Sequence, residues 1–211
     1  MPEPEWSARA GSDVRDPSEL AAVIGRRLAT RTRKPLEIPG FRRAAVLVPL
    51  LLGSHGLELF FTIRSKDLPN HAGQIAFPGG RLEAGEGAED AARRETYEEV
   101  GIRVGKGDLL ERLDDLPSPA GYVATPVAAL LAWPQRLELN HREVSEVFTA
   151  PLEELHAVIP ARKLRRHPRF KGVTYSYLWQ GHCIWGFTGN VLKNLLDVYE
   201  DSVRSTLDLP A

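Results

Sequence analysis

Apolar positions along this chain recur at two periods, and the changes of period mark out its elements. Leu20, Val23, Ile24 and Leu28 repeat at helical spacing after Pro17-Ser18-Glu19, which predicts a first helix with Ser18 as its N-cap. A basic, proline-containing connector follows over residues 31–43. The spacing then tightens into dense apolar stretches broken by turn residues. Residues 44–52 and 57–63 flank Gly53-Ser54-His55-Gly56 and read as the two strands of a hairpin. Residues 75–77 form a short strand that runs into Pro78-Gly79-Gly80. The helical period returns over residues 87–100 and stops at Gly101, a residue suited to a helix C-terminus. Residues 109–116, 122–133 and 144–149 read as further strands, and 151–155 as a short helix. Residues 175–179 and 183–185 are placed to pair across Gln180-Gly181-His182, with Cys183 as a buried strand residue. A closing helix is predicted from about Thr188 to Tyr199, with Val191, Leu192, Leu195, Leu196 and Tyr199 on one face.

Paired strands with helices between them predict an α/β domain in which helices cover a mixed sheet. Residues 1–40 then form an N-terminal arm and helix, 41–200 the main domain and 201–211 a C-terminal tail. A length of 211 residues is enough to bury a core without disulfides, and one cysteine rules out a disulfide framework and a cysteine-based zinc cluster. The longest apolar run, residues 44–52, contains Pro49 and is less than half of the roughly 20 residues a membrane helix needs. The opening MPEPEWSARAGSD lacks the apolar core of a signal peptide, so a cytoplasmic location is expected.

Net charge changes the picture only when it is divided along the chain. The total is −1, which argues against a nucleic-acid partner. That balance hides two blocks of opposite sign. Residues 83–115 carry eleven acidic and five basic side chains, and residues 162–171 carry six basic and no acidic ones. The second block reads as a loop, either a site for an extra phosphate (through Arg165 and Arg166) or a solvated or subunit-contact segment that offsets the acidic helix.

Within the acidic block, Glu95, Glu98 and Glu99 stand three and four apart, so on a helix their carboxylates share about 100° of arc. Like charges so placed repel, and a divalent cation among them reverses the sign. Ala92, Thr96 and Val100 form an adjacent stripe that can pack on a sheet. Arg94 is positioned to pair with Glu98 or to reach Glu86 in the preceding loop.

Gly80, then five residues, Glu86, then seven residues, Arg94-Glu95, two more, Glu98-Glu99, one more, Gly101 and Ile102 reproduce the Nudix box in order and spacing, with Thr96 where the box usually has an aliphatic residue. The segment resembles the Nudix hydrolases. The resemblance implies a Nudix fold, an α/β/α sandwich with a mixed sheet, and hydrolysis of a nucleoside diphosphate linked to another moiety. It assigns Glu95, Glu98 and Glu99 to Mg²⁺ or Mn²⁺, Glu86 to an indirect or water-mediated role at the metal, and Arg94 to orientation. A catalytic base often lies outside the box. Glu146 is the first candidate and Glu143 the second. Upstream, Thr62-Ile63-Arg64-Ser65 and His71 through Phe77-Pro78-Gly79-Gly80 are similar to the coenzyme A diphosphatase branch, as are Gly121–Pro126, Glu146-Val147-Phe148 and Ile184–Thr188. Pro69 stands where that branch carries a second arginine.

Coenzyme A or an acyl thioester is therefore the expected substrate, with Arg64, Ser65, His71, Gly79, Gly80, Arg165 and Arg166 as binding residues, and Phe170 or Tyr175 as a surface for adenine. An ADP-ribose or nucleotide-sugar diphosphatase is the alternative enzyme, and a nucleotide-binding module without turnover the alternative class. The first helix is a candidate contact element for a homodimer.

Overall fold

The computed structural model describes residues 16–53 and 56–206. The arm before residue 16, the turn at Ser54-His55 and the tail after residue 206 lie outside the described residues. Helix α1 (Pro17–Thr30) is capped by Asp16, whose side chain accepts from the Ser18 N–H at 2.9 Å. Pro17 takes the first helical position, where its missing N–H costs nothing, so the cap falls two residues before Ser18.

Strands β1 (Arg42–Gly53) and β2 (Gly56–Arg64) form the expected antiparallel hairpin. Two short strands follow, β3 (Ile75–Ala76) and β4 (Gly79–Arg81), then helix α2 (Ala88–Val100). The predicted strand at 109–116 is two pieces, β5 (Leu109–Arg112) and β6 (Leu116–Ser118). It breaks at Asp115, whose buried carboxylate accepts from Thr125 Oγ1, the Leu36 N–H, Arg43 and Arg33. Burial opposes the charge on Asp115, but these four donors outweigh it and hold the carboxyl below its usual range. Strands β7 (Tyr122–Ala132) and β8 (Val144–Pro151) and helix α3 (Leu152–Ala157) complete the first half.

The large sheet runs β3-β2-β1-β7-β5, with β4 beside β1, β6 beside β7 and β8 beside β2. Its one parallel ladder among the described residues joins β1 to β7 from Arg42↔Tyr122 to Leu52↔Ala132. Helix α2 covers one face, where Ala88, Ala91, Ala92 and Val100 pack on Ala45, Leu47 and Phe60. The small side chains let the helix backbone approach the strands closely. Helices α1 and α4 (Gly186–Thr206) cover the other face with Ile24, Leu28, Leu192 and Leu195 against Val48, Leu50 and Phe61. Because β1 is buried on both faces, it reads as a continuous apolar run instead of an alternating one. The arrangement is the expected α/β/α sandwich with a mixed sheet.

The basic block is not a loop. It forms β9 (Ala161–His167) and the start of β10 (Phe170–Trp179), paired in register from Ser176↔Ala161 to Phe170↔His167. Strand β11 (His182–Trp185) closes a three-stranded sheet through the turn foreseen at Gln180-Gly181. Cys183 is exposed, a correction to its expected burial: its neighbour Ile184 takes the inward position, and a strand alternates faces. Helix α4 starts two residues early and continues seven residues past Tyr199, because Val198, Tyr199 and Ser202 extend its buried stripe. No helix among the described residues is long and apolar enough to cross a membrane.

Candidate active site

Helix α2 ends on Gly101, which adopts a left-handed conformation (φ 77°) and donates to Tyr97 O at 2.9 Å. A side chain there would meet Glu138 at 2.8 Å. That close approach lets residues 138–144 dock on the helix end, with the Glu138 N–H donating to Val100 O and the Asn140 N–H to Glu99 O, each at 2.9 Å.

The three glutamates of α2 occupy graded environments. Thr96 is fully buried and donates to Ala92 O at 2.7 Å, so the helix face holding Ala92, Thr96 and Val100 lies in the core as expected. Glu99 falls at the edge of that face and is only 3 % exposed. Glu98 points outward, with half of its side chain exposed, and Glu95 lies between. Arg94 ties the group together. Its guanidinium bridges both oxygens of Glu86 (2.9 and 3.0 Å), Glu95 (2.9 Å), Glu98 (3.1 Å) and Arg81 O (3.0 Å). Arg94 thus pairs with both of its expected partners, and its charge holds Glu86 below the usual carboxylate range.

Glu99 behaves oppositely. Burial pushes its carboxyl up to about 8, and the nearby charges of Glu143 and Glu95 add to the rise, while Arg64 and the Gly79 backbone oppose it. Glu95 is raised too, first by burial and then by Glu98 and Glu143, against Arg94. Among the described residues no three acidic, histidine or cysteine side chains are already gathered into a cation cage. Arg94 accounts for this by occupying Glu86, Glu95 and Glu98. The donor set still suits a hard cation. Buried carboxylate oxygens, forced together against mutual repulsion, gain most from a small dication.

Gly79 and Gly80 shape the other wall. Strand β4 lies against β1 with Val46↔Gly79 and Ala45↔Gly80. A Cβ at Gly79 would stand 2.4 Å from Ala45 O, and one at Gly80 would stand 2.3 Å from a Glu95 carboxylate oxygen. Both glycines are required by the closeness of the strand, the sheet and the helix carboxylate.

On the far side of these glycines opens a groove of about 390 Å³. Its walls include Arg64, His71, Gly79, Gly80 and Arg165, so five of the sequence-predicted binding residues share it. Tyr122, Gln74, Trp185 and Phe187 line it as well. His71 Nδ1 and Gln74 Oε1 are paired at 2.9 Å, and Thr188 donates to Ile75 O at 3.0 Å, fixing α4 to the groove wall. Ser65 and Arg166 are placed elsewhere. Ser65 is buried, and its N–H donates to Glu143 O at 2.8 Å. Arg166 lines a neighbouring hollow with Leu164, Lys171 and Arg165, the last of which reaches both.

Neither Phe170 nor Tyr175 reaches the groove. Phe170 packs edge-on to Phe41 with ring centres 6.3 Å apart, anchoring the hairpin tip, and Tyr175 lies under the Lys193 ammonium. A second, wider cleft of about 910 Å³ flanks the other side of the glutamates between Arg42, Arg43, Arg81 and Glu83. Arg42 stacks over Tyr122, 4.5 Å from the ring centre, forming the ridge between cleft and groove.

The base candidates divide. Glu146 is exposed on β8 opposite Ile63, on the strand face that carries Phe148 and Ala150 toward α4, away from α2. Glu143 is the acidic residue that the structure brings within electrostatic reach of Glu99 and Glu95. One of its oxygens accepts from Asn140 Nδ2 at 3.0 Å. Nothing local in the sequence shows that residues 138–144 fold back on the helix end, which is what brings Glu143 there. The aromatic groove residues were also missed as site residues, although an aromatic on each side of Gly186 was the available signal.

Residues 41–171 match the family described as NUDIX domain. A protein named "Uncharacterized Nudix hydrolase NudL" from Photorhabdus laumondii is 37 % identical over 161 residues, covering 73 % of this chain and 83 % of its own length. Its namesake from Pectobacterium atrosepticum is also 37 % identical over 161 residues, with 73 % and 81 % covered. Among solved structures, a MutT/nudix family protein from Enterococcus faecalis superposes with a TM-score of 0.51 at 18 % identity, over 88 % of this chain and 69 % of that one. That last likeness is one of fold.

Proposed function

The chain belongs to the Nudix hydrolase family, enzymes that cleave a diphosphate, and from that membership we propose that its substrate is coenzyme A or an acyl thioester of it. Water would split the diphosphate to give 3′,5′-ADP and 4′-phosphopantetheine or its acyl form. The observation that carries this reading is the groove, which gathers Arg64, His71, Gly79, Gly80 and Arg165 beside the helix glutamates. These residues come from separate segments, and Arg165 comes from the basic hairpin. Two arginines offer bidentate anion contacts, and Tyr122, Trp185 and Phe187 offer ring faces for a heterocycle.

Glu95, Glu98 and Glu99 would hold Mg²⁺ or Mn²⁺, with Glu86 acting through Arg94. A divalent cation bound there neutralises diphosphate oxygens and makes an attacking water more acidic. The chain's own residues do the rest. Arg94 pairs with Glu86, Glu95 and Glu98, which offsets their mutual repulsion and keeps them on one side of the helix. Gly80 leaves room for the Glu95 carboxylate. Arg64 and Arg165 orient the anionic substrate within the groove, and Glu143 accepts the proton of the attacking water.

Initial rates on coenzyme A and ADP-ribose, compared with Mg²⁺ and with EDTA, test the reading. Cation-dependent release of 3′,5′-ADP, faster than turnover of ADP-ribose, is the expected result. A preference for ADP-ribose transfers the groove to a nucleotide sugar and overturns the coenzyme A assignment.

A further inference from the structure

The wide cleft beyond the glutamates has no part in the reading above, yet four arginines line it: Arg42, Arg43, Arg81 and Arg94. Two of them are already spent. Arg94 binds three carboxylates, and Arg43 donates to Leu36 O at 2.8 Å, Thr125 Oγ1 at 2.9 Å and Asp115 Oδ2 at 3.0 Å. Arg42 and Arg81 form no ion pair and no side-chain hydrogen bond among the described residues. Arg81 stands opposite Ala44 in the β1–β4 ladder, so Arg42 is its diagonal neighbour on the same sheet face. Like charges so placed repel, and Glu83 is the one cleft carboxylate that Arg94 does not hold. Both arginines border the chemistry. Glu95 and Glu98 line the same cleft, Gly80 beside Arg81 lines the groove, and Arg42 lies 4.5 Å from the centre of the Tyr122 ring, itself a groove wall. The hollow at Arg166 and Lys171, by contrast, is lined by no helix glutamate.

We propose that Arg42 and Arg81 bind a phosphate monoester carried by the nucleoside outside the cleaved diphosphate, which in coenzyme A is the 3′-phosphate, and so select substrates that have it. This rests on the diphosphatase reading above and adds a specificity site to it. A monoester brings about two negative charges and three acceptor oxygens, which suit a pair of guanidinium forks. An anion between the two arginines turns their repulsion into attraction. The stacking of Arg42 on Tyr122 holds its guanidinium at the ridge, so less freedom is lost when the anion arrives. A heterocycle against Tyr122 in the groove then has both arginines across the ridge, on the side where the glutamates stand.

The test compares kcat/KM on coenzyme A and on its 3′-dephospho form, with Mg²⁺, for the full chain as wild type, Arg42→Gln, Arg81→Gln and Arg165→Ala. Wild type should prefer coenzyme A by about tenfold or more. Arg42→Gln and Arg81→Gln should each narrow that preference about three- to tenfold, whereas Arg165→Ala should slow both compounds alike and leave the ratio as it was. Calorimetric titration with 3′,5′-ADP and with AMP, in EDTA, makes the same comparison without turnover. There 3′,5′-ADP should bind wild type more tightly than AMP, and each cleft variant should remove most of the difference. Wild type that treats the phosphorylated and dephosphorylated compounds alike overturns the inference alone, as does a preference that survives both cleft variants or is lost in Arg165→Ala. Turnover of neither compound, with Mg²⁺ or with Mn²⁺, overturns the diphosphatase reading, and the nucleotide titrations then decide the arginine site by themselves.

Discussion

Helix α2 and the hairpin β9–β10 carry charge of opposite sign, and the fold treats them in opposite ways. Every cation from Arg162 to Lys171 is exposed, and that part of the hairpin is held by its main-chain ladder and by the Phe41–Phe170 contact at its tip. In α2 the charges are built into the packing: Glu99 is inside, and Arg94 binds three carboxylates and a carbonyl at once. Exposed charge is cheap and individually worth little, whereas buried charge must be answered by a partner or a ligand. The helix is therefore committed to a ligand in a way the hairpin is not, and substitutions in the two regions should differ accordingly.

The sharpest break is Glu99→Gln. Turnover should fall by about a thousandfold, since the most desolvated ligand is lost, while the cation-free protein should melt no lower than wild type because a disfavoured charge has gone. Steady-state rates and thermal melts in EDTA check both halves, and unchanged turnover removes α2 from the chemistry. Gly80→Ala comes next. Its Cβ must displace the Glu95 carboxylate, so activity should drop by about a hundredfold, whereas Gly107→Ala, with open space around it, should change neither rate nor stability.

The pH dependence of stability sharpens the contrast. Glu99 has a folded pKa of about 8 and an unfolded value of 4.5, so the folded state binds the extra proton between them. Stability of the cation-free protein should therefore decline as pH rises across that window, and saturating Mg²⁺ should flatten the decline. Melting temperatures at intervals of pH, with EDTA and with Mg²⁺, measure it. A slope that persists with Mg²⁺ places the titration on another group. The smallest effects belong to the hairpin. Arg165→Ala should raise KM about tenfold with little change in kcat, and Arg166→Ala, which lines the neighbouring hollow but not the groove, should change KM by less than about twofold. Equal effects would mean that the hairpin acts as a diffuse field and not through one residue.

These two regions were unequally legible in the sequence. Helix α2 combines fixed-spacing glutamates, flanking glycines and a small apolar stripe, and each feature has a local physical meaning that survives folding. Residues 162–167 show no alternation because neither face of β9 is buried, so the pattern that marks a strand is missing and only its partner β10 makes it one. Asp115 similarly interrupts an apolar stretch for a reason that lies in Arg33, Leu36, Arg43 and Thr125, none of them its sequence neighbours. The groove is assembled from β1, β2, β3, β4, β6, β7, β9, β11 and the start of α4. Its arginines and glycines could be named beforehand, while its aromatic lining and the place of Glu143 beside Glu99 depend on which chain segments meet.

The parallel ladder between β1 and β7 has a bearing on how the polypeptide reaches this state. Arg42 faces Tyr122 and Leu52 faces Ala132, eighty positions apart, and the glutamate helix lies on the stretch between. Bringing such distant partners together is entropically slow, and nothing local can substitute for it. The glutamate helix is thus enclosed in the loop that this ladder closes, and a chain that has not closed it lacks part of the sheet face on which that helix packs.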